Sequence, residues 1–253
     1  MNVKRLFTLL IGIAFIVAVL LSCLFIFSIK SVKAEYTISK NVNEKEIQDV
    51  LDGFNGKNLL FFDEDEIGNA LSSFTNVKLI SVTKKYPNVV NVKLVEREIV
   101  YSIKIGDEIF LLDKECFVVN KTNDLTLVPE NAVEIKLDGE ISYVNLVVGS
   151  VVSTTDNEFF YSTINISNEL SLSDCVNEIL ISRKSKLIKD AIYITRSGVS
   201  ITINKPNVSG VDKATAGFEK YHELENDFLK TYETIVVTLL DNGEIKVVWS
   251  TQG

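Results

Sequence analysis

The sequence predicts an α+β protein: an N-terminal transmembrane helix, a β-α-α-β-β domain, and a mostly antiparallel β domain with a helix before its last strand pair. Three observations predict it. An uncharged apolar run fills 6–29, two capped helix patterns give way to period-two alternation near residue 77, and strand signals dominate from residue 99. A chain of 253 residues has room for an anchor and two such domains. The expected boundaries are 1–5 for a cytoplasmic N-terminus, 6–29 for the helix, 30–34 for a linker, 35–98 for the first domain and 99–253 for the second.

Leu6 to Ile29 is 24 residues without a charge, and as a helix it would span about 36 Å against a hydrocarbon layer of roughly 30 Å. Lys4 and Arg5 lie on its short side, Lys30 and Lys33 on its long side. That charge balance favours N-in only weakly, and the length asymmetry supports it, which would put the C-terminal domains outside as a single-pass type II protein. Val32-Lys33-Ala34 fits a small-residue cleavage site and Leu20-Leu21-Ser22-Cys23 a lipoprotein box. The apolar stretch is longer than a leader core and stays apolar through Leu24–Phe27, so the expectation is an uncut anchor.

Beyond it, a short strand is expected near Tyr36–Ile38. Residues 43–54 read as a capped amphipathic helix, with Asn43 and Glu46 as the cap pair, Ile47, Val50, Leu51 and Phe54 as its stripe, and Gly53 at its end. The pattern recurs with Asp63 and Glu66, then Ile67, Ala70, Leu71 and Phe74. Val77–Lys85, the turn Tyr86-Pro87-Asn88, and the alternating Val90, Val92 and Leu94 form a β-hairpin. Two helices would cover one face of a three-stranded sheet.

In the second domain, Ile99–Ile105 and Glu108–Leu112 flank a Gly106-Asp107 turn, and Phe117–Asn120 adds a strand. Residues 156–170 suit a helix with Phe159 and Phe160 inward. Two further hairpins join Ile192–Thr195 to Val199–Ile203 and Ile235–Leu240 to Glu244–Trp249. Between them Ala214, Phe218, Tyr221 and Leu224 line one side of a helix at about 211–226.

Chemistry is harder to find. A net charge of -8 disfavours nucleic-acid binding, and the run Arg183, Lys184, Lys186, Lys189 reads as solvated surface. The three cysteines make no C-x-x-C pair, and Cys116 and Cys175 read as buried free thiols, with a disulfide as the alternative in an oxidising compartment. His222, the single histidine, sits among glutamates on an expected wet face. No G-x-S-x-G, Walker or G-x-G-x-x-G motif occurs, and Asp63–Glu66 read as helix N-terminal charge rather than a cation site. No catalytic residue, metal ligand or cofactor is expected, although a carboxylate pair among 34 acidic residues stays open. Binding is better supported, because an open sheet edge can be completed by another chain's strand, and the terminal hairpin is the best candidate.

Lys84-Lys85-Tyr86-Pro87-Asn88-Val89-Val90-Asn91-Val92-Lys93-Leu94-Val95-Glu96-Arg97, with Gly56-Lys57-Asn58-Leu59-Leu60 upstream and Asp113 downstream, resembles the FtsQ/DivIB family of bacterial cell-division proteins. The resemblance implies a POTRA domain for the β-α-α-β-β unit and no enzymatic activity. It also implies a role at the division septum, in the cytoplasmic membrane. The implied partners are FtsB (DivIC)-like and FtsL-like bitopic proteins, and beyond them septal wall synthases. Family partner-contacting positions fall on Leu240 and Trp249; Ile245 and Val247 share that strand, and Phe218 and Tyr221 lie on the helix before it. Trp249 packed under the sheet is the rival reading. The chain departs from the family pattern at Ile99 (Pro in the family), Cys116 (Gly), and Thr238 and Leu240 (charged). An envelope hydrolase with a cleaved leader and a POTRA-type transport scaffold remain as alternatives.

Overall fold

Val90, Val92 and Leu94 alternate with polar neighbours, and that alternation builds the centre of the first unit. In the structure, a computed structural model that describes residues 3–37, 42–226 and 232–251, the chain divides into Met1–Arg97 and Glu98–Gly253. The first unit contains α1 (Val3–Ile26), β1 (Ser31–Thr37), α2 (Glu44–Asp52), α3 (Asp65–Leu71), β2 (Val77–Lys85) and β3 (Val89–Glu96). The sheet order is β1-β3-β2, with β1 parallel and β2 antiparallel to β3. The three alternating residues of β3 are fully buried against Ile47 and Leu51 of α2 and Ile67 and Leu71 of α3. Asn43 caps α2 by accepting from the Glu46 N–H, so the β-α-α-β-β expectation holds.

Three details differ. β1 begins at Ser31 rather than Tyr36, so residues 30–34, expected as a linker, are largely strand, with Val32 buried in the core; Ile38 lies outside the described residues. Ile29, expected in the membrane run, is buried in this domain instead, because its N–H donates to Lys57 O and its carbonyl accepts from Gly56 N, both at 2.8 Å. At α3 the expected cap pair separates: Asp63 Oδ1 accepts from the Asp65 N–H at 3.1 Å, while the Glu66 carboxylate turns to Lys57.

Helix α1 is 24 residues long. From Phe7 to Ile26 its described side chains are apolar apart from Thr8 and Ser22, and nearly all are exposed. Among the described residues no helix is long and apolar enough to cross a membrane; the side chains of α1 described without interruption run from Leu10 to Ile26, about 25 Å of helix.

The second unit contains β4 (Tyr101–Ile105), β5 (Glu108–Leu112), β6 (Val118–Thr122), β7 (Val133–Gly139), β8 (Tyr143–Asn145), β9 (Ser153–Thr154) and α4 (Asn157–Glu169). It continues through β10 (Val176–Arg183), β11 (Lys189–Thr195), β12 (Ser200–Asn204), α5 (Gly210–Asn226), β13 (Tyr232–Leu239) and β14 (Ile245–Thr251). Nine strands form one sheet in the order β14-β13-β12-β11-β10-β7-β4-β5-β6. The domain is mostly antiparallel as expected, with β14–β13, β12–β11, β11–β10, β4–β5 and β5–β6 antiparallel, but the joins β12–β13, β10–β7 and β4–β7 are parallel. A parallel join needs a crossover, which α5 supplies between β12 and β13.

Both helices contribute to one core. Phe159 and Phe160 of α4 are fully buried, and the Tyr193 hydroxyl of β11 donates to Thr163 O of α4 at 2.9 Å. Gly217 lets α5 lie close to the sheet: a Cβ there would come within 2.9 Å of Val237 Cγ2 and 3.0 Å of Ile201 Cγ2. The buried Lys213 ammonium donates to the carbonyls of Asn204 and Lys205, tying the start of α5 to the end of β12. Desolvation, then the nearby Lys205 charge, lowers its pKa.

Asp113 closes the β5–β6 connection, its Oδ1 accepting from the N–H groups of Glu115 (2.9 Å) and Phe117 (3.0 Å). Cys116 stands in this turn at φ 57, in the left-handed region where glycine carries no Cβ penalty. Its side chain is fully buried and makes up part of the core, so the strained residue is held by packing. Burial, and then the neighbouring Asp113 charge, pushes its thiol pKa far up, which makes it a poor nucleophile. Cys116 and Cys175 are not joined in a disulfide, and Cys175 is only partly buried.

In the basic run Lys184 and Lys186 are exposed as expected, but the other two positions need correction. Arg183 and Lys189 are not solvated; they reach Asp156 Oδ2 at 3.1 and 2.7 Å, and all three side chains are mostly buried. Asp156 is also the N-cap of α4, accepting from the Phe159 N–H. Burial works to raise the Asp156 pKa, but the Lys189 hydrogen bond, the Phe159 N–H and the charges of Lys189 and Arg183 outweigh it, so the net shift is downward. A carboxyl depressed in the folded state adds stability above its unfolded pKa of about 4, and loses it as pH falls through the lower folded value. Asp156→Ala should cost roughly 2–4 kcal/mol, by removing the cap and leaving two cations without their partner. Denaturant unfolding at pH 7 and pH 3 checks this, with the gap between wild type and variant narrowing at the lower pH.

Candidate partner-binding edge

A nine-stranded sheet has two edges, and the chain treats them differently. Along the start of β6 the 149–152 segment lies alongside: Gly149 N donates to Val118 O and Val118 N to Ser150 O, both at 2.9 Å, and Phe117 bridges to Val151. Among the described residues β14 has no strand on its outer side.

The hairpin register decides which backbone groups are left over. The Leu240 N–H donates to Glu244 O at 2.8 Å, and Gly243, at φ 84, completes the turn by donating to Leu240 O at 2.9 Å. In an antiparallel ladder, hydrogen-bonded and non-hydrogen-bonded pairs alternate. The pairs Thr238–Lys246, Val236–Val248 and Thr234–Ser250 are therefore the hydrogen-bonded ones, in the observed register. Ile245, Val247 and Trp249 then direct both N–H and C=O outward, away from β13.

The side chains of these same three residues lie on the α5 side of the sheet, since their cross-strand partners Leu239, Val237 and Ile235 include the buried Val237 and Ile235. Ile245 and Val247 pack partly against the core. Trp249 is 45% exposed, with Lys220 Nζ of α5 4.2 Å from its ring centroid, and Leu240 at the turn is 39% exposed. Trp249 is thus not packed under the sheet. An indole and an aliphatic side chain flank a bare ladder edge, as in recognition by strand addition.

Phe218 and Tyr221, expected with these residues at a contact surface, are only 5% and 4% exposed. Phe218 packs edge-on to Tyr193 and Tyr221, and the Tyr221 hydroxyl lies 3.0 Å from Ser197 Oγ. They support α5 from below and present no surface, so they leave the candidate set. Lys220 joins it, although sequence reading passed over it. It lies three residues after Gly217 and one before Tyr221, at the margin of the buried stripe, and that spacing was the available signal. His222 is exposed as expected and lies beside the Tyr221 ring. No group of three or more His, Cys, Asp or Glu that could hold a metal occurs among the described residues.

Comparison with known proteins adds to this geometry. Residues 27–97 match the family model described as POTRA domain, FtsQ-type. The chain is 32% identical over 82 residues to a protein of Rickettsia bellii named cell division protein FtsQ, covering 32% of this chain and 31% of the relative. Proteins of the same name from Rickettsia felis and Rickettsia conorii are 34% identical over 82 residues, with the same coverage. The matched stretch therefore spans about a third of the length of these curated relatives.

Truncation separates buried from displayed aromatics. Phe218→Ala should lower the unfolding free energy by about 3–5 kcal/mol. Trp249→Ala should lower it by about 1 kcal/mol or less, the scale of an exposed cation–π contact. Equal losses in equilibrium denaturation would contradict this placement.

Proposed function

We propose, on the premise that this chain belongs to the FtsQ/DivIB family and carries an FtsQ-type POTRA domain at residues 27–97, that it acts by holding other membrane-anchored division proteins at the septum. The observation that carries the reading is the bare outer edge of β14, whose Ile245, Val247 and Trp249 direct their backbone polar groups away from β13.

Such an edge recognises an extended segment by completing its hydrogen bonds, with Trp249 and Leu240 as apolar anchors beside it. FtsB (DivIC)-like and FtsL-like bitopic proteins are the partners this reading takes from the family, with septal wall synthases further along the assembly. Helix α1 is the anchor. The uncharged part of α1, Leu6–Ile26, would extend about 31 Å, and a helix predominantly apolar on every face suits lipid rather than water. With the N-terminus inside, both domains lie outside the cytoplasmic membrane, where tethering raises the effective concentration of other tethered partners. The reading needs no turnover and no cofactor.

Proline at 247 gives a selective test. Its missing N–H would be one that points outward, so the β13–β14 ladder is kept, as for proline on natural edge strands. Val247→Pro should weaken co-purification of the FtsB-like and FtsL-like pair at least tenfold while far-UV circular dichroism stays unchanged. Undiminished capture by a folded Val247→Pro chain would remove strand addition at β14 as the mechanism.

A further inference from the structure

The chain leaves α1 and enters the POTRA domain without a free residue between them. Phe27 N closes the last helical turn on Cys23 O at 3.1 Å, and the next residues are clasped from two sides. On one side Leu59 N donates to Phe27 O (2.7 Å), Ile29 N to Lys57 O (2.8 Å) and Gly56 N to Ile29 O (2.8 Å). The Asn58 amide reaches further back and donates to Leu24 O at 3.3 Å. On the other side Lys30 N donates to Asn88 O at 2.8 Å, and the Tyr86 and Phe27 rings meet edge-on at 6.1 Å.

The turn that makes this clasp also carries two exposed apolar side chains. Leu60 N and Phe61 N bond back to Asn58, through its Oδ1 (3.0 Å) and its carbonyl (3.2 Å), which fixes both residues beside the last turn of α1. Phe61 is 80% exposed and Leu60 45%. Tyr86 is 62% exposed on the opposite side of the exit, and Phe25 and Ile26 are exposed on the helix itself. The core residues of the same turn, Leu59 and Phe62, are buried, so the outward pair is not misplaced core.

We infer that Leu60, Phe61 and Tyr86 form a collar that sits in the headgroup region of the lipid leaflet from which α1 emerges, fixing the depth and tilt of the POTRA domain on the membrane. The inference rests on reading α1 as a membrane span. If it is one, the hydrogen bonds to Leu24 O and Phe27 O leave the turn no room to lie far from the lipid surface. Aromatic side chains are favoured at that level, and shallow apolar insertion reaches about 5–10 Å below it. The charges nearby are compatible. Lys57 pairs with Glu66, and Lys84 lies 3.9 Å from Glu64, so two carboxylates of the acidic 63–66 run are screened from an anionic surface. Lys30 and Lys85 are exposed.

The full chain, reconstituted in vesicles of phosphatidylcholine and phosphatidylglycerol carrying spin-labelled lipids, tests the collar. Phe61→Trp and Phe15→Trp variants are each read as the emission added over the parent, whose only tryptophan is Trp249. Emission from position 61 should fall at least twofold with lipids labelled near the headgroup and less with lipids labelled at the chain end. Position 15 should show the reverse order. Deep quenching at 15 with none at 61 overturns the collar and leaves the span standing. No quenching at either position overturns the span and the collar together.

Discussion

A backbone N–H or C=O withdrawn from water must find a partner, and this requirement explains both ends of the chain. Where α1 passes into β1, the polypeptide emerges between an apolar helix and a packed core. There the successive backbone groups of Phe27, Ile29 and Lys30 are engaged by Gly56, Lys57, Leu59 and Asn88. At β14 the same chemistry is left incomplete on one side. The first arrangement makes a stiff attachment; the second leaves outward backbone groups that, in the proposed function, a partner's strand completes.

The position of the open edge follows from how the rest of the second unit is built. Close approach of α5 at Gly217, the Lys213 ammonium on the end of β12, and the ring stack of Tyr193, Phe218 and Tyr221 hold the crossover helix over β12 and β13. Tyr193 in turn joins β11 to α4, and Asp156 joins the start of α4 to Arg183 and Lys189 on β10 and β11. The last hairpin is added to a platform already braced from both helices. Lys220 then lies over Trp249, limiting the indole's freedom while leaving nearly half of it in contact with solvent. An anchor held in place before binding loses less conformational freedom when a partner arrives.

Much of this was legible in the sequence because it is local. Cap residues, period-two runs and the Asp241-Asn242-Gly243 turn each act within a few residues, and the first unit, the paired helices and the last two hairpins came from them directly. Strands β7 and β10 did not. Val133, Ile135 and Leu137 alternate cleanly, but a loop with its own apolar residues precedes them. In β10, Ile179, Leu180 and Ile181 run together as a central strand with neighbours on both sides, without a clear period. Ile29 was placed with the membrane run because nothing in composition marks the change from lipid-facing to core-facing. The ion pairs of Asp156 join residues that no local pattern connects. At the candidate edge, Leu240, Ile245, Val247 and Trp249 were found from the hairpin and the family likeness. Phe218 and Tyr221 were misplaced there although their helical stripe already marked them as core.

Residue-resolved amide exchange along β14, measured by NMR on the full chain in nanodiscs, tests the central claim most directly. The account predicts slow exchange at Lys246, Val248 and Ser250, whose N–H groups face β13, and fast exchange at Ile245, Val247 and Trp249, with the fast set becoming protected once the bitopic partners are added. Uniform protection along β14 before any partner is present would mean that the edge is already covered, and would contradict the account.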